Sequence, residues 1–173
     1  MSRDTDRLAQ TGARLVELIT GGDADEFAQV VHPDGVNLEA GHEPADARRP
    51  GPQGFLATSR WLLTAFPDLS VEIHHALAVD DLVVVHNTMR GTQAGTMVYY
   101  REDLTVGEVF PPNGGSFETT QSHWMRMRDG LVLEHWANRD DLGMARQLHW
   151  VPPTPAYLLR RRAARRAVVR RAG

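Results

Sequence analysis

Cysteine and lysine are both missing from this 173-residue chain, and each absence removes a body of chemistry. Without cysteine there is no disulfide, no thiolate nucleophile and no Cys-ligated zinc. All 19 basic residues are arginine, so Schiff-base catalysis, a lysine general base and covalently held pyridoxal phosphate are excluded. Neither a P-loop nor a GxGxxG fingerprint occurs, and nothing marks a dedicated nucleotide site. No run of about 18 apolar residues could span a membrane. The opening MSRDTDRLAQ lacks the apolar core of a secretory signal, so a cytoplasmic location is expected. What remains is carboxylate, histidine, hydroxyl and amide chemistry.

Hydrophobic residues make up 42% of the chain, enough for one good core, and nothing suggests a second. Charge is unevenly spread. Residues 160–173 hold seven arginines and no acid, leaving 12 basic against 22 acidic residues in the body, a balance near −10. The segment LLRRRAARRAVVRRAG can form a basic helix with Leu159, Ala163 and Ala167 at i, i+4 spacing. Such a helix reads either as a binder of nucleic acid or an anionic surface, or as a solvated tail lying against the acidic body or a dimer mate. No aromatics interleave the arginines to stack on bases, which favours the second reading and no nucleic-acid partner. The expected division is a folded domain over 1–150 and a Pro-rich, then Arg-rich tail over 151–173.

Apolar spacing predicts a helix from about Thr5 to Thr20, ended by Gly21-Gly22, and a short second helix capped by Asp23 or Asp25. His32-Pro33-Asp34-Gly35 reads as a turn, Val36–Glu39 as a short strand, and 41–52 as a polar Pro/Gly loop. A third helix is expected over about Pro52–Ala65, with Phe55, Leu56, Trp61, Leu62 and Phe66 apolar. From there the chain turns to strands, Val71–Val79 and Leu82–Arg90 around Asp80-Asp81, then Phe117–Met127 and Leu131–Asn138 around Asp129-Gly130. A closing helix over about Asp141–Leu148 precedes Pro152-Pro153. Helices first and antiparallel strands afterwards argue an α+β fold, with helices on one face of a curved sheet.

The last hairpin carries most of the functional signal. Counting outward from a two-residue Asp129-Gly130 loop sets His123 opposite Trp136, Gln121 opposite Asn138 and Thr119 opposite Asp140. Met125, Met127 and Val132 share that face, so it is apolar near the turn and polar further out, as a pocket wall should be. Glu134 falls on the same face and needs a partner there if buried. From the Asp80-Asp81 turn, His75 lies opposite His86 and His74 opposite Asn87. No HxH or HxxxH with an acidic third ligand completes a familiar metal site, so no metal is expected.

The segments HWMRMRDGLVLEHWANRDDLGMARQL, HPDGVNLEA and GFLATSRWLLTAFPDLSVEIHHALAVDDLVVVHNTMRGT resemble the SnoaL-like polyketide cyclases, also called ester cyclases, of the NTF2-like superfamily. The resemblance runs from about Leu15 to Leu148. It implies a cone-shaped α+β barrel, with a curved antiparallel sheet and three N-terminal helices enclosing a deep pocket. It also implies cofactor-independent acid/base chemistry, either intramolecular aldol cyclisation or a related hydroxylation of a polyketide-like, polycyclic carbonyl substrate. The family's general acid/base is the aspartate four residues after the EHW tryptophan, here Asp140. A helix cap is the competing role for Asp140, unless Asp141 is the cap.

His123 matches a pocket histidine of the family and is the second catalytic candidate, orienting Asp140 or polarising a carbonyl. Its competing role is that of an interior histidine bonded to Gln121 or Asn138. Gln121, Trp136 and Asn138 are expected to shape the substrate site, with Trp61 and Phe66 on its wall and Tyr99 as a donor to an enolate oxygen. A homodimer through the convex face, bearing Trp124, Arg126, Leu133 and His135, is implied as well. The sequence departs from the family in two places. Gln93 stands where a histidine is usual, and the segment 95–115 is about ten residues longer than usual, as a lid or an interface extension. These departures keep a non-catalytic small-molecule or partner-binding module as the alternative.

Overall fold

A computed structural model describes residues 3–172. Three helices come first, α1 (Arg3–Leu18), α2 (Ala24–Ala28) and α3 (Pro52–Ala65), with β1 (Val31–Asn37) and two short 3-10 turns between α2 and α3. Six strands follow: β2 (Ser70–Val79), β3 (Leu82–Thr92), β4 (Met97–Tyr100), β5 (Val106–Phe110), β6 (Ser116–Arg128) and β7 (Leu131–Arg139). Helices α4 (Asp141–Gln147) and α5 (Pro155–Ala172) close the chain. The α+β order matches the sequence reading. Asp23 caps α2 through a reciprocal box with Glu26.

The main sheet runs β1-β7-β6-β3-β2, and β1 pairs parallel to β7. The sheet is therefore mixed rather than wholly antiparallel, because β1 returns beside the last strand instead of forming a hairpin. The His32–Gly35 segment, expected as a turn, lies inside β1 as an irregular stretch between Val31 and Val36. Residues 95–115, the over-long segment read as a lid or an interface extension, contain the separate two-stranded sheet β4-β5.

Both expected hairpins form. Asp129 and Gly130 take the left-handed φ values, 53° and 82°, that a two-residue turn between twisted strands requires. His75 faces His86 as counted, but a bulge between Ile73 and His75 leaves Ile73, not His74, opposite Asn87. A second bulge has larger consequences. Met127 pairs with Val132, yet Arg126 pairs with Glu134, so Leu133 is an extra residue in β7. Beyond it every side chain changes face. His123 lies opposite Ala137, Trp124 opposite Trp136 and Ser122 opposite Asn138.

The core fills the space between α1 and the inner face of the sheet. Leu15 and Val16 of α1 are buried with Val83, Val85, Met125 and Val132 from three strands. Full burial of each such side chain contributes about 1.5–3 kcal/mol. Gly12 sets how closely α1 can lie. A Cβ there would sit 2.6 Å from Val83 Cγ1 and 3.1 Å from the Met125 sulfur. Gly-to-Ala in a helix ordinarily gains about 1 kcal/mol. Here overpacking outweighs that gain, and Gly12→Ala is expected to cost about 1–3 kcal/mol in urea unfolding. A raised urea midpoint would contradict this packing.

Candidate functional site

The inner face of the sheet, α1 and α3 enclose a cavity of about 370 Å³. Its walls are mainly apolar, with Phe55, Trp61 and Phe66 from α3 facing Met89 and Phe117 from the sheet. The β4-β5 hairpin covers one side with Met97, Tyr99 and Phe110, while Met144 and Trp150 close another. Polar groups converge at one end, namely Gln121, His123, His135, Asn37 and Glu43. Trp61 is fixed by its Nε1–H, which donates to the Val98 carbonyl at 2.8 Å, and by an edge contact with Tyr99. Burial, with the nearby Asp141 carboxylate, pushes the Tyr99 phenol up to about 12, so it remains a proton donor.

The two histidines form one chain with two amides. His123 Nε2 meets the Gln121 amide at 3.0 Å, His123 Nδ1 meets His135 Nε2 at 2.9 Å, and His135 Nδ1 meets Asn37 Oδ1 at 2.9 Å. Proton counting fixes the direction of these bonds. Asn37 Oδ1 already accepts from the Glu39 backbone N–H at 3.2 Å, so that oxygen is the acceptor and His135 donates to it. His135 Nε2 is then bare, and His123 Nδ1–H donates to it. His123 Nε2 is left as a lone pair facing Gln121 Oε1 at 3.0 Å, while the Gln121 NH₂ points at the Met89 sulfur at 3.5 Å; two acceptors cannot bond, so a half-turn of that amide is needed to bring its NH₂ to His123. A proton on both His123 nitrogens would create a buried imidazolium. Burial opposes that, pulling His123 down to about 4 and His135 well below its ordinary 6.5. Arg139 lowers both further, and for His135 the His123 charge ranks ahead of Arg139. The pair is neutral, and its accepting end is His123.

Glu43 lies at the other end of the same network, in the loop between the two 3-10 turns. Asn37 Nδ2 approaches Thr58 Oγ1 at 3.4 Å, and the Thr58 hydroxyl donates to Glu43 Oε2 at 2.5 Å. Glu43 is only 4% exposed. Burial pushes its carboxyl up to about 7 and Glu39 adds to the rise, against the opposing pull of Thr58, Arg139 and Arg48. The sequence reading missed this residue because its loop, GHEPADARRPGP, carries no periodic signal. Asn37 and His135 were missed as site residues too, and for His135 the reason is the β7 bulge.

Of the sequence candidates, His123, Gln121, Trp61, Phe66 and Tyr99 all line the cavity. Trp136, Asn138 and Asp140 do not. The extra residue Leu133 turns Trp136 and Asn138 to the outer face, where Trp136 stacks on Trp124 and Asn138 Oδ1 accepts from Trp124 Nε1. His135, expected on the convex face, is turned inward by the same bulge, and Glu134 is turned outward opposite Arg126. Asp140 sits at the start of α4, where its Oδ1 accepts from the Gly143 N–H at 2.8 Å, the capping role. Asp141 lines the cavity instead, as does Glu39, and both pair with Arg139, at 3.4 and 3.1 Å.

Gln93 is a strut rather than a reactive group. Fully buried, it donates to the Gly95 and Phe110 carbonyls and accepts from Trp150 Nε1. Helix α5 lies on the cover hairpin. Arg161 stands 4.4 Å from the Phe110 ring centroid and pairs with Glu108, and Tyr157 donates to the Pro111 carbonyl. From the other side, Arg48 donates to the Arg101 and Glu102 carbonyls. Among the described residues no helix is long and apolar enough to cross a membrane.

The profile of the family described as SnoaL-like polyketide cyclase matches residues 9–148, and the chain belongs to that family. The aklanonic acid methyl ester cyclase DnrD of Streptomyces peucetius is 31% identical over 144 residues, covering 82% of this chain and 90% of that one. TsrD from Streptomyces laurentii superposes with a TM-score of 0.62 at 25% identity, over 86% of this chain and 97% of TsrD. Wild-type IdmH from Streptomyces antibioticus gives 0.59 at 28% identity, over 82% and 97%.

The shifted groups make stability depend on pH in opposite directions. Unfolded, Glu43 ionises near 4.5; folded, near 7. Its proton stabilises the fold fully below 4.5, and that contribution is lost as pH rises through 7. At 1.36 kcal/mol per pH unit the loss is on the order of 3 kcal/mol. The histidines act the other way. The unfolded chain takes up their protons below 6.5, so both destabilise the fold as pH falls below 6.5, for His123 down to about 4. Glu43→Gln is therefore expected to gain on the order of 3 kcal/mol relative to wild type between pH 4.5 and pH 8, read by urea unfolding. A difference that does not vary with pH would mean that Glu43 titrates normally.

Proposed function

We propose that this member of the SnoaL-like polyketide cyclase family closes a ring in a polyketide-like carbonyl substrate by intramolecular aldol addition, without a cofactor. The observation that carries the reading is an apolar chamber with a neutral, one-directional histidine pair at one end, His123 buried and His135 partly so. Carbons between two carbonyls are acidic and largely enolised. Such an enol hydroxyl can donate to the bare Nε2 of His123 once Gln121 moves aside, and Phe66 and Trp61 offer surface for flat rings. The Tyr99 hydroxyl has no hydrogen-bond partner among the described residues and is available to the oxygen that becomes alkoxide. DnrD, a relative at 31% identity, is itself named a cyclase, of aklanonic acid methyl ester. With Asp140 occupied as a cap, proton handling in this reading belongs to buried groups.

The second reading, a binding module without turnover, is favoured by Gln93, since a group that would be titratable in the family pattern is here a strut. Turnover separates the two. A linear aryl polyketone ester incubated with the protein should give a product of identical mass with one carbonyl lost. His123→Ala should slow that conversion by about 10²-fold. Binding without conversion would establish the second reading.

The homodimer belongs to this proposal as well. Leu77, Val84, Trp124 and Trp136 lie in register across four neighbouring strands of the outer face, and Leu77 is 56% exposed. A second copy covering this row accounts for it. Leu77→Glu with Trp124→Glu should turn a dimer into a monomer in sedimentation velocity. A wild-type monomer at high micromolar concentration would exclude the dimer.

A further inference from the structure

Glu43 is a buried carboxyl with one oxygen held and one free. It lies in the cavity wall, its Oε2 held by the Thr58 hydroxyl and its Oε1 without any hydrogen-bond partner among the described residues. Thr58 is itself only 6% exposed, so the carboxyl is fixed by a group that cannot swing to solvent. Among the described residues no arginine forms an ion pair with it. Arg48 is committed to the carbonyls of Glu43, Arg101 and Glu102, and Arg139 to Glu39 and Asp141. An unpaired buried carboxyl costs stability, and a glutamine would accept the Thr58 bond as well without that cost. The competing carboxylates are placed differently. Asp140 is engaged as a cap, and the Asp141 side chain is 72% exposed.

We infer that Glu43 is the catalytic acid/base, the group that removes the proton from the substrate's activated carbon and returns it to the new alkoxide. This rests on the cyclase reading given above. In the first step Glu43 Oε1 takes the C–H proton, and the electron pair of that bond becomes the enolate. The enolate carbon then attacks the ketone carbon, a C–C bond forms, and the C=O π pair moves onto oxygen. Glu43 finally returns the same proton to that oxygen. No atom is gained or lost, so product and substrate are isomers and one carboxyl performs both transfers. A carboxyl that ionises near neutral pH suits both directions. His123 and Glu43 thereby divide the work on different parts of the polyketone, the imidazole accepting from a neighbouring enol hydroxyl that holds the chain in place and the carboxyl moving the carbon-bound proton of the unit that attacks.

The test uses the full chain and two probes, a cyclisable aryl polyketone ester and ethyl 2-methyl-3-oxobutanoate, which can enolise but cannot close a ring. Wild type should cyclise the first and exchange the single acidic C–H of the second for deuterium in D₂O. Both rates should rise through about pH 7 as Glu43 ionises beside Glu39, Arg48 and Arg139. Glu43→Gln should lose 10²-fold or more in both rates, keep KM within about threefold and lose the rise near pH 7. Glu43→Asp, should the glutamine variant not fold, is expected to retain the pH rise at a reduced rate. Wild-type turnover with an unimpaired Glu43→Gln would overturn the assignment and leave the cyclase reading standing. A wild type that neither cyclises nor exchanges would overturn the cyclase reading and this assignment with it.

Discussion

One surplus residue in β7 decides what the cavity contains. Had the β6-β7 ladder run without interruption from the Asp129-Gly130 turn, Trp136 and Asn138 would face inward and His135 outward. Leu133 breaks the alternation, and His135 comes in to meet His123 at 2.9 Å. The β1 strand answers at the same level. Its His32–Gly35 excursion lies between the residues that pair with Val132 and Glu134, so both strands deform together. Asn37, at the end of β1, is thereby set against His135, and the Glu39 N–H fixes the sense of the whole hydrogen-bond chain.

Environment rather than residue type then assigns the roles. Burial moves a carboxyl up and imidazoles down, so Glu43 holds a proton near neutrality while His123 and His135 hold no extra one. Two groups that would ordinarily sit two pH units apart with the imidazole the more basic have that order reversed. The arginines that could undo this are engaged elsewhere. Arg48 ties the Glu43 loop to the cover hairpin, and Arg161 and Arg165 of α5 tie the hairpin down from the far side. The arginine-rich end of the chain thus bears on the cavity's cover, although it lies beyond the segment the family profile matches.

Much of this was legible in the residues. The helix-first order and both hairpin turns follow from local spacing and turn chemistry, the α2 cap is one of the two aspartates expected, and His123, Gln121, Trp61, Phe66 and Tyr99 line the cavity. The register past Leu133 was not legible from turn counting, because a bulge leaves no mark in a period-two pattern. One clue was present. Counting placed Glu134 inside with no partner, and a buried, unpaired carboxylate argues that the count has slipped. The parallel return of β1 and the inward Glu43 depend on contacts between residues far apart in sequence, which a Pro/Gly loop does not announce. Asp140 shows the opposite case, where the family position is kept and the geometry spends it on a helix cap.

The most direct measurement is a carbon- and nitrogen-detected NMR titration of the free protein, following the Glu43 carboxyl and the His123 and His135 imidazoles. The expected result is a Glu43 midpoint near 7, a His123 imidazole that stays neutral down to about pH 4, and a His135 imidazole whose midpoint lies well below 6.5. A Glu43 midpoint near 4.5 with imidazoles titrating near 6.5 would mean an open, solvated site, and would contradict the assignment of proton handling to groups desolvated in an apolar chamber.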